Sequence, residues 1–144
     1  MADGEAITRY KQELRDVALR ATSGRVAVLR ALDSSPHSTA ETVFELISGD
    51  LPGTSTQAVY MVLNDLTRAK LIRRFEPAGS AALYERRIGD NHHHLVCDAC
   101  GAVQDVDCVV GRAPCLSPSD GMGFQIREAE VTFWGLCTQC QPVT

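Results

Sequence analysis

A chain of 144 residues with 44% apolar and 22% charged residues has the make-up of one ordinary globular domain or two small ones, not of a disordered, collagen-like or low-complexity protein. No apolar run approaches the roughly 18 residues a membrane helix needs, and the opening MADGEAITRY lacks a secretion signal, so a cytoplasmic protein is expected. The net charge of −4 hides an asymmetry: residues 1–87 hold 12 Lys+Arg against 11 Asp+Glu (net +1), and residues 88–144 hold 2 against 7 (net −5), so only the first part can offer a basic face to nucleic acid.

In chain order, Ile7, Tyr10, Leu14 and Val17 recur at helical spacing and predict a first helix. A second starts near Thr22–Ser23, buries Val26, Leu29 and Leu32, and stops before Pro36. A third begins near Ser38–Thr39, packs Val43, Leu46 and Ile47, and ends near Gly49. In the fourth, Ser55 or Thr56 caps a helix whose inner face is Ala58, Val59, Val62, Leu63 and Leu66. Its outer face carries Gln57, Tyr60, Met61, Asn64 and Arg68; an aromatic among polar groups suggests a contact surface. LIRRFEP and ALYERRI, on either side of Ala78-Gly79-Ser80, predict a hairpin. These are the parts of a winged helix-turn-helix, with the fourth helix in the major groove and the hairpin as wing.

Residues 88–91 read as a hinge. Beyond them HLVC, AVQDVD and GFQIREAEVTFWG predict strands of a small sheet, and Gly111, Pro114, Pro118 and Gly121 argue against a long helix over 107–122. The expected fold class is α+β: a winged-helix DNA-binding domain over 1–87, then a small α/β domain over 88–144.

Two C-x-x-C knuckles, Cys97/Cys100 and Cys137/Cys140, are separated by 36 residues. Each supplies two thiolates spaced for one tetrahedral structural zinc, and Gly101 permits the tight turn after the first. The rival is a thiol oxidoreductase or zinc-handling protein using one C-x-x-C. Such a dithiol opens a helix, whereas both knuckles border strand-like runs. Cys108 and Cys115, the other two of six cysteines, fit either as small apolar residues under a loop or as a redox pair. Among the histidines, His92, His93 and His94 are consecutive. In an extended segment His92 and His94 share a face while His93 points away. Imidazoles mixed with carboxylates, here Glu85 and Asp105, suit iron, manganese or zinc; the other reading is an exposed polar loop. No catalytic nucleophile–base pair or phosphate loop is evident, so no enzyme is expected.

At these residues the sequence resembles the ferric uptake regulator (Fur) family. The resemblance lies in L-R-A-T-x-x-R at 19–25, P-H-S-T-A-E at 36–41, S-x-x-A-V-Y-x-V-L at 55–63, D-N-H-H-H-L-V-C-D-A-C-G at 90–101 and W-G-L-C-x-x-C at 134–140. The wing P-A-G-S-A-x-x-Y-E-x-R and the D-V-D-C string are closest to a FurA-like branch that governs catalase-peroxidase genes. The resemblance implies a homodimer that binds operator DNA, with the C-terminal α/β domain dimerising and the metal acting as corepressor. It implies structural Zn²⁺ at Cys97, Cys100, Cys137 and Cys140, and a regulatory site for Fe²⁺ or Mn²⁺, or Zn²⁺, at His37, Glu85, His92, His94 and Asp105. DNA-facing candidates are Arg20, Arg25, Ser55, Thr56, Gln57, Tyr60 and Asn64. The chain departs from the family at Met61, where Arg is common, and no third metal site is expected around Asn91 and His93.

Overall fold

The helices begin where the chain offers a capping side chain. Thr22, Thr39 and Ser55 sit in extended backbone, and each side chain accepts a hydrogen bond from the N–H three residues on. They open α2 (Ser23–Ser34), α3 (Ala40–Ser48) and α4 (Thr56–Arg68), behind α1 (Ala2–Asp16). The structure is a computed structural model describing residues 2–86, 92–107, 119–126 and 130–143. The chain divides into two compact units, Met1–Ile88 and Gly89–Thr144.

All four helices lie in the first unit and share one core. Tyr10 and Leu14 come from α1, Val28, Leu29 and Leu32 from α2, Val43 and Ile47 from α3, and Val59, Leu63 and Leu66 from α4. Each such side chain contributes about 1.5–3 kcal/mol on burial. Leu63, fully buried, fixes the inner face of α4. Leu63→Ala is expected to cost about 2–5 kcal/mol, read as a lowered urea midpoint of the helical circular-dichroism signal; a loss below about 1 kcal/mol would mean the cavity collapses around the shortened side chain. One expected core residue is not in the core. Leu46 is 47% exposed, because Val43 and Ile47 already define the inward stripe of this nine-residue helix and Leu46 falls at its edge.

After α4 the chain turns into an antiparallel hairpin of β1 (Arg73–Phe75) and β2 (Leu83–Glu85), in the register Arg73↔Glu85 and Phe75↔Leu83. Gly79 has φ +78, a conformation glycine enters without strain, and the Ser80 N–H donates to the Pro77 carbonyl at 3.0 Å. β2 is buried along its length. It is also tied to the approach to α3: the Tyr84 N–H donates to the Ser38 carbonyl at 2.9 Å and the Ser38 N–H to the Tyr84 carbonyl at 3.3 Å.

The second unit is built on a three-stranded sheet in the order β4-β3-β5. β3 (His92–Cys97) pairs antiparallel with β4 (Val103–Asp107) and parallel with β5 (Thr132–Gly135). A parallel neighbour requires a crossover of a dozen or more residues, which the segment between β4 and β5 supplies. The strand expected over 123–135 is much shorter than its sequence suggests. Met122 (φ +53) and Gly123 (φ +77) are left-handed, and the Phe124 N–H donates to the Gly121 carbonyl at 2.8 Å. That is a turn, and Phe124 and Ile126 beyond it are exposed; among the described residues of the stretch, Thr132–Gly135 form the paired strand. The hinge expected at 88–91, Cys108 and Cys115, and most of the 107–122 stretch lie outside the described residues.

Candidate metal centres and nucleic-acid face

Parallel pairing of β3 with β5 brings the two knuckles together. Cys97 is the last residue of β3 and stands opposite Gly135, so both strands deliver their following turns to the same end of the sheet. There the Gly101 N–H donates to the Cys97 carbonyl at 2.9 Å and, at the matching place in the second knuckle, the Gln141 N–H to the Cys137 carbonyl at 3.1 Å, closing two equivalent turns. Gly101 takes φ +80, which is why a glycine follows the first knuckle. One ligand atom from each of Cys97, Cys100, Cys137 and Cys140 lies within 4.8 Å of all the others, and the Cys100 and Cys137 sulfurs are 3.8 Å apart. A tetrahedron with Zn–S bonds of about 2.3 Å has S···S edges of about 3.8 Å, so the donor set fits zinc.

The thiols are electrostatically unequal. Backbone N–H groups of Cys137 and Cys100 aim at the Cys97 sulfur and bring its pKa down to about 6. Hydrogen bonds among the crowded sulfurs, first with Cys137 and then with Cys100 and Cys97, push Cys140 up to about 12. The two thiols are thus shifted in opposite directions, and a bound cation would take both as thiolates. Convergence of four sulfurs does not support the oxidoreductase alternative, which needs one isolated dithiol.

Besides the cysteines, each unit holds a histidine–carboxylate pair. In the first unit His37 Nε2 lies 3.0 Å from Glu85 Oε2, and the Glu85 side chain is 1% exposed. His37 has φ +61, uncommon outside glycine but tolerated by histidine. It directly precedes Ser38, whose bridge to Tyr84 sets the imidazole beside β2. In the second unit the register pairs His94 with Asp105 across β3 and β4, and His94 Nε2 is 3.4 Å from Asp105 Oδ1, with the His94 side chain 2% exposed. His93 points to the opposite face, as alternation requires, and lies edge-on to Phe133 with ring centroids 6.4 Å apart. His92 occupies the first position of β3, opposite Asp107; its side chain is outside the described residues. Nitrogen–oxygen sets of this kind suit borderline and hard divalent cations.

On α4, Thr56, Gln57, Tyr60, Met61, Asn64 and Arg68 are exposed along one side, with Tyr60 at 46%. Ser55 is the N-cap, accepting from the Ala58 N–H at 3.1 Å. Arg20 is exposed in the α1–α2 connection. Arg25 is engaged inside the unit: it donates to the Arg20 carbonyl at 2.9 Å and to Asp65 at 3.2 Å, tying α2 to α4. Sequence patterning missed this tie and also missed Arg86, whose guanidinium donates to Asp33 at 3.2 Å, to Glu13 and to the Leu71 carbonyl at 3.1 Å. Their partners lie tens of residues away, and no local spacing announces them.

The sequence model of the Ferric uptake regulator family matches residues 16–133. Transcriptional regulator FurA of Mycobacterium tuberculosis is 53% identical over 135 residues, covering 94% of this chain and 92% of that protein. The peroxide-responsive repressor PerR of Staphylococcus aureus is 27% identical over 134 residues, covering 89% of this chain and 86% of that protein. Among solved structures, the Helicobacter pylori ferric uptake regulator Fur superposes with a TM-score of 0.71 at 20% identity, over 97% of this chain and 94% of its own. That likeness carries the fold; the family rests on the sequence match through wing, histidine string and first knuckle. With a helical wing-bearing unit followed by a strand unit holding four clustered thiols, the chain belongs to the ferric uptake regulator family of transcriptional regulators.

Proposed function

We propose that this protein is a homodimeric, cytoplasmic repressor that binds operator DNA when a divalent cation, Fe²⁺ or Mn²⁺, occupies a regulatory site, and that its role is regulatory rather than catalytic. The observation that carries this is the pairing of His37 with Glu85 in the first unit and of His94 with Asp105 in the second. The first unit offers one histidine and one carboxylate, too few alone for a specific site, and the second offers His94 and Asp105 with His92 as a further donor, so the full set of five needs both. A cation bound by both pairs fixes one unit against the other. In a dimer it thereby fixes the separation of the two α4 helices, which DNA requires to be about 34–36 Å or a multiple of it. Driving such an equilibrium from 1:99 to 99:1 takes about 5.5 kcal/mol, within reach of several coordination bonds. Zinc at the four cysteines serves structure, since a closed four-sulfur site has no open position.

The exposed side of α4 supports the DNA reading, with Arg20, Thr56, Gln57, Tyr60 and Asn64 as contacts and Ser55 and Arg25 holding the helix in place. Tyr60→Ala is expected to weaken operator binding by about 1–3 kcal/mol while leaving stability unchanged, because the side chain is exposed and outside the core. The decisive experiment is fluorescence anisotropy of the protein's own upstream DNA, with the regulatory metal removed and Mn²⁺ then restored. Salt-dependent binding only with Mn²⁺ is expected. Equal binding in both states would refute the corepressor role. With Fe²⁺ in place of Mn²⁺, peroxide is expected to release the DNA through oxidation of His37 or His92, and a peroxide-insensitive Fe²⁺ form would leave metal sensing alone.

A further inference from the structure

Glu85 is the last residue of a three-residue strand in a two-stranded hairpin, an element that is marginal by itself. A ligand at such an end would wander unless both its neighbours were held. On one side the Ser38–Tyr84 bridge holds the backbone. On the other stands Arg86, whose guanidinium spans three elements: Nε to Asp33 Oδ1 on α2 at 3.2 Å, one terminal nitrogen to Glu13 on α1, and the other to the Leu71 carbonyl ahead of β1 at 3.1 Å. The second Asp33 oxygen accepts from the Tyr10 hydroxyl at 2.5 Å, and Tyr10 is itself buried in the core. The Arg86 guanidinium carbon also lies 5.9 Å from the Tyr10 ring centre. Arg86 is therefore fastened to the packed helical part of the unit and to the turn ahead of β1 at every edge of its fork.

We propose that Arg86 is the positioning residue of the His37–Glu85 pair, bolting the end of β2 to α1 and α2 so that Glu85 is presented to the cation, and making α1 part of the sensing apparatus. This rests on the metal-site reading given above. Arginine is required because its planar fork serves three acceptors at fixed angles, whereas a lysine offers one point charge on a flexible stem. Groups that orient a ligand from outside the coordination sphere are typically worth about 10–100-fold in metal affinity.

The test uses the full-length, zinc-loaded protein and measures free Mn²⁺ by electron paramagnetic resonance during titration, with zinc content and thermal midpoint recorded alongside. Three variants are compared: Arg86→Lys, which keeps the charge, Glu13→Gln, which alters the fork's partner on α1, and Glu85→Gln as the ligand control. Arg86→Lys and Glu13→Gln are each expected to weaken Mn²⁺ binding by about 10–100-fold, with zinc content and thermal midpoint unchanged. If Glu85→Gln weakens binding and the other two do not, positioning by Arg86 is overturned and the metal site stands. If affinity falls only in step with the thermal midpoint, Arg86 is a stability tie and the proposal is again overturned. If Glu85→Gln leaves Mn²⁺ affinity intact, the site assignment itself fails and the role of Arg86 falls with it.

Discussion

Cys97→Ser is expected to strip the zinc and unfold the second unit while the first stays folded. Cys97 is buried at the end of the central strand, and the Cys137 and Cys100 backbone N–H groups aimed at its sulfur lower its pKa and favour the thiolate a cation needs. Serine offers a far poorer zinc ligand at the same place. Structural zinc contributes apparent binding energies of about 10–16 kcal/mol, whereas a whole domain is stable by only about 5–15 kcal/mol. A three-stranded sheet with Leu95, Phe133, Trp134 and Leu136 exposed has little of its own to offset that loss. Two signals separate the units. The only tryptophan of the sequence, Trp134, lies in β5, so its fluorescence follows the second unit, and the helical circular-dichroism signal follows the first, where α1 to α4 lie. The variant should lose the cooperative Trp134 transition and keep the helical one. A normal zinc content with both transitions intact would contradict the structural role of the four-sulfur site.

Glu85→Ala is expected to abolish the Mn²⁺ dependence of operator binding without unfolding the first unit. The carboxylate is the hard donor of its pair, and its removal leaves His37 as the first unit's one proposed ligand. If metal drives the DNA-competent population from about 1% to 99%, losing that drive weakens apparent affinity by about 100-fold, to the metal-free level. Metal-free affinity should match the parent protein, because Glu85 is buried and not among the exposed side chains of α4 that the DNA reading uses. Retention of most of the Mn²⁺ effect would show that Glu85 is not a ligand.

Much of the fold was legible because its determinants are local. Thr22, Thr39 and Ser55 announce their helices by capping chemistry within three residues, and the apolar period of α4 marks Val59, Leu63 and Leu66 as its buried side. The four-sulfur cluster was legible for a related reason: each knuckle is a local turn, and flanking strands of matching direction are enough to join them. What patterning missed depends on distance along the chain. Leu46 fits the helical period as well as its neighbours, yet it falls at the edge of the inward stripe set by Val43 and Ile47. The 123–126 stretch has strand-like composition, yet the turn at Gly121–Gly123 takes it out of the sheet. Arg86 with Glu13, 73 residues apart, and Arg25 with Asp65, 40 apart, exist only once the helices have packed. The histidines lie between these cases. Alternation placed His94 and His93 on opposite faces, but the partnership of His94 with Asp105 is a matter of strand register, and that of His37 with Glu85 depends on the Ser38–Tyr84 bridge.

The most direct test of the central claim, that one cation draws on both units, is the number of tightly held Mn²⁺ ions per chain in the zinc-loaded protein and in His37→Ala and His94→Ala. About one ion is expected in the parent protein and its loss in each variant, since the five proposed donors are split two and three between the units. Tight Mn²⁺ binding that survives either substitution would contradict it.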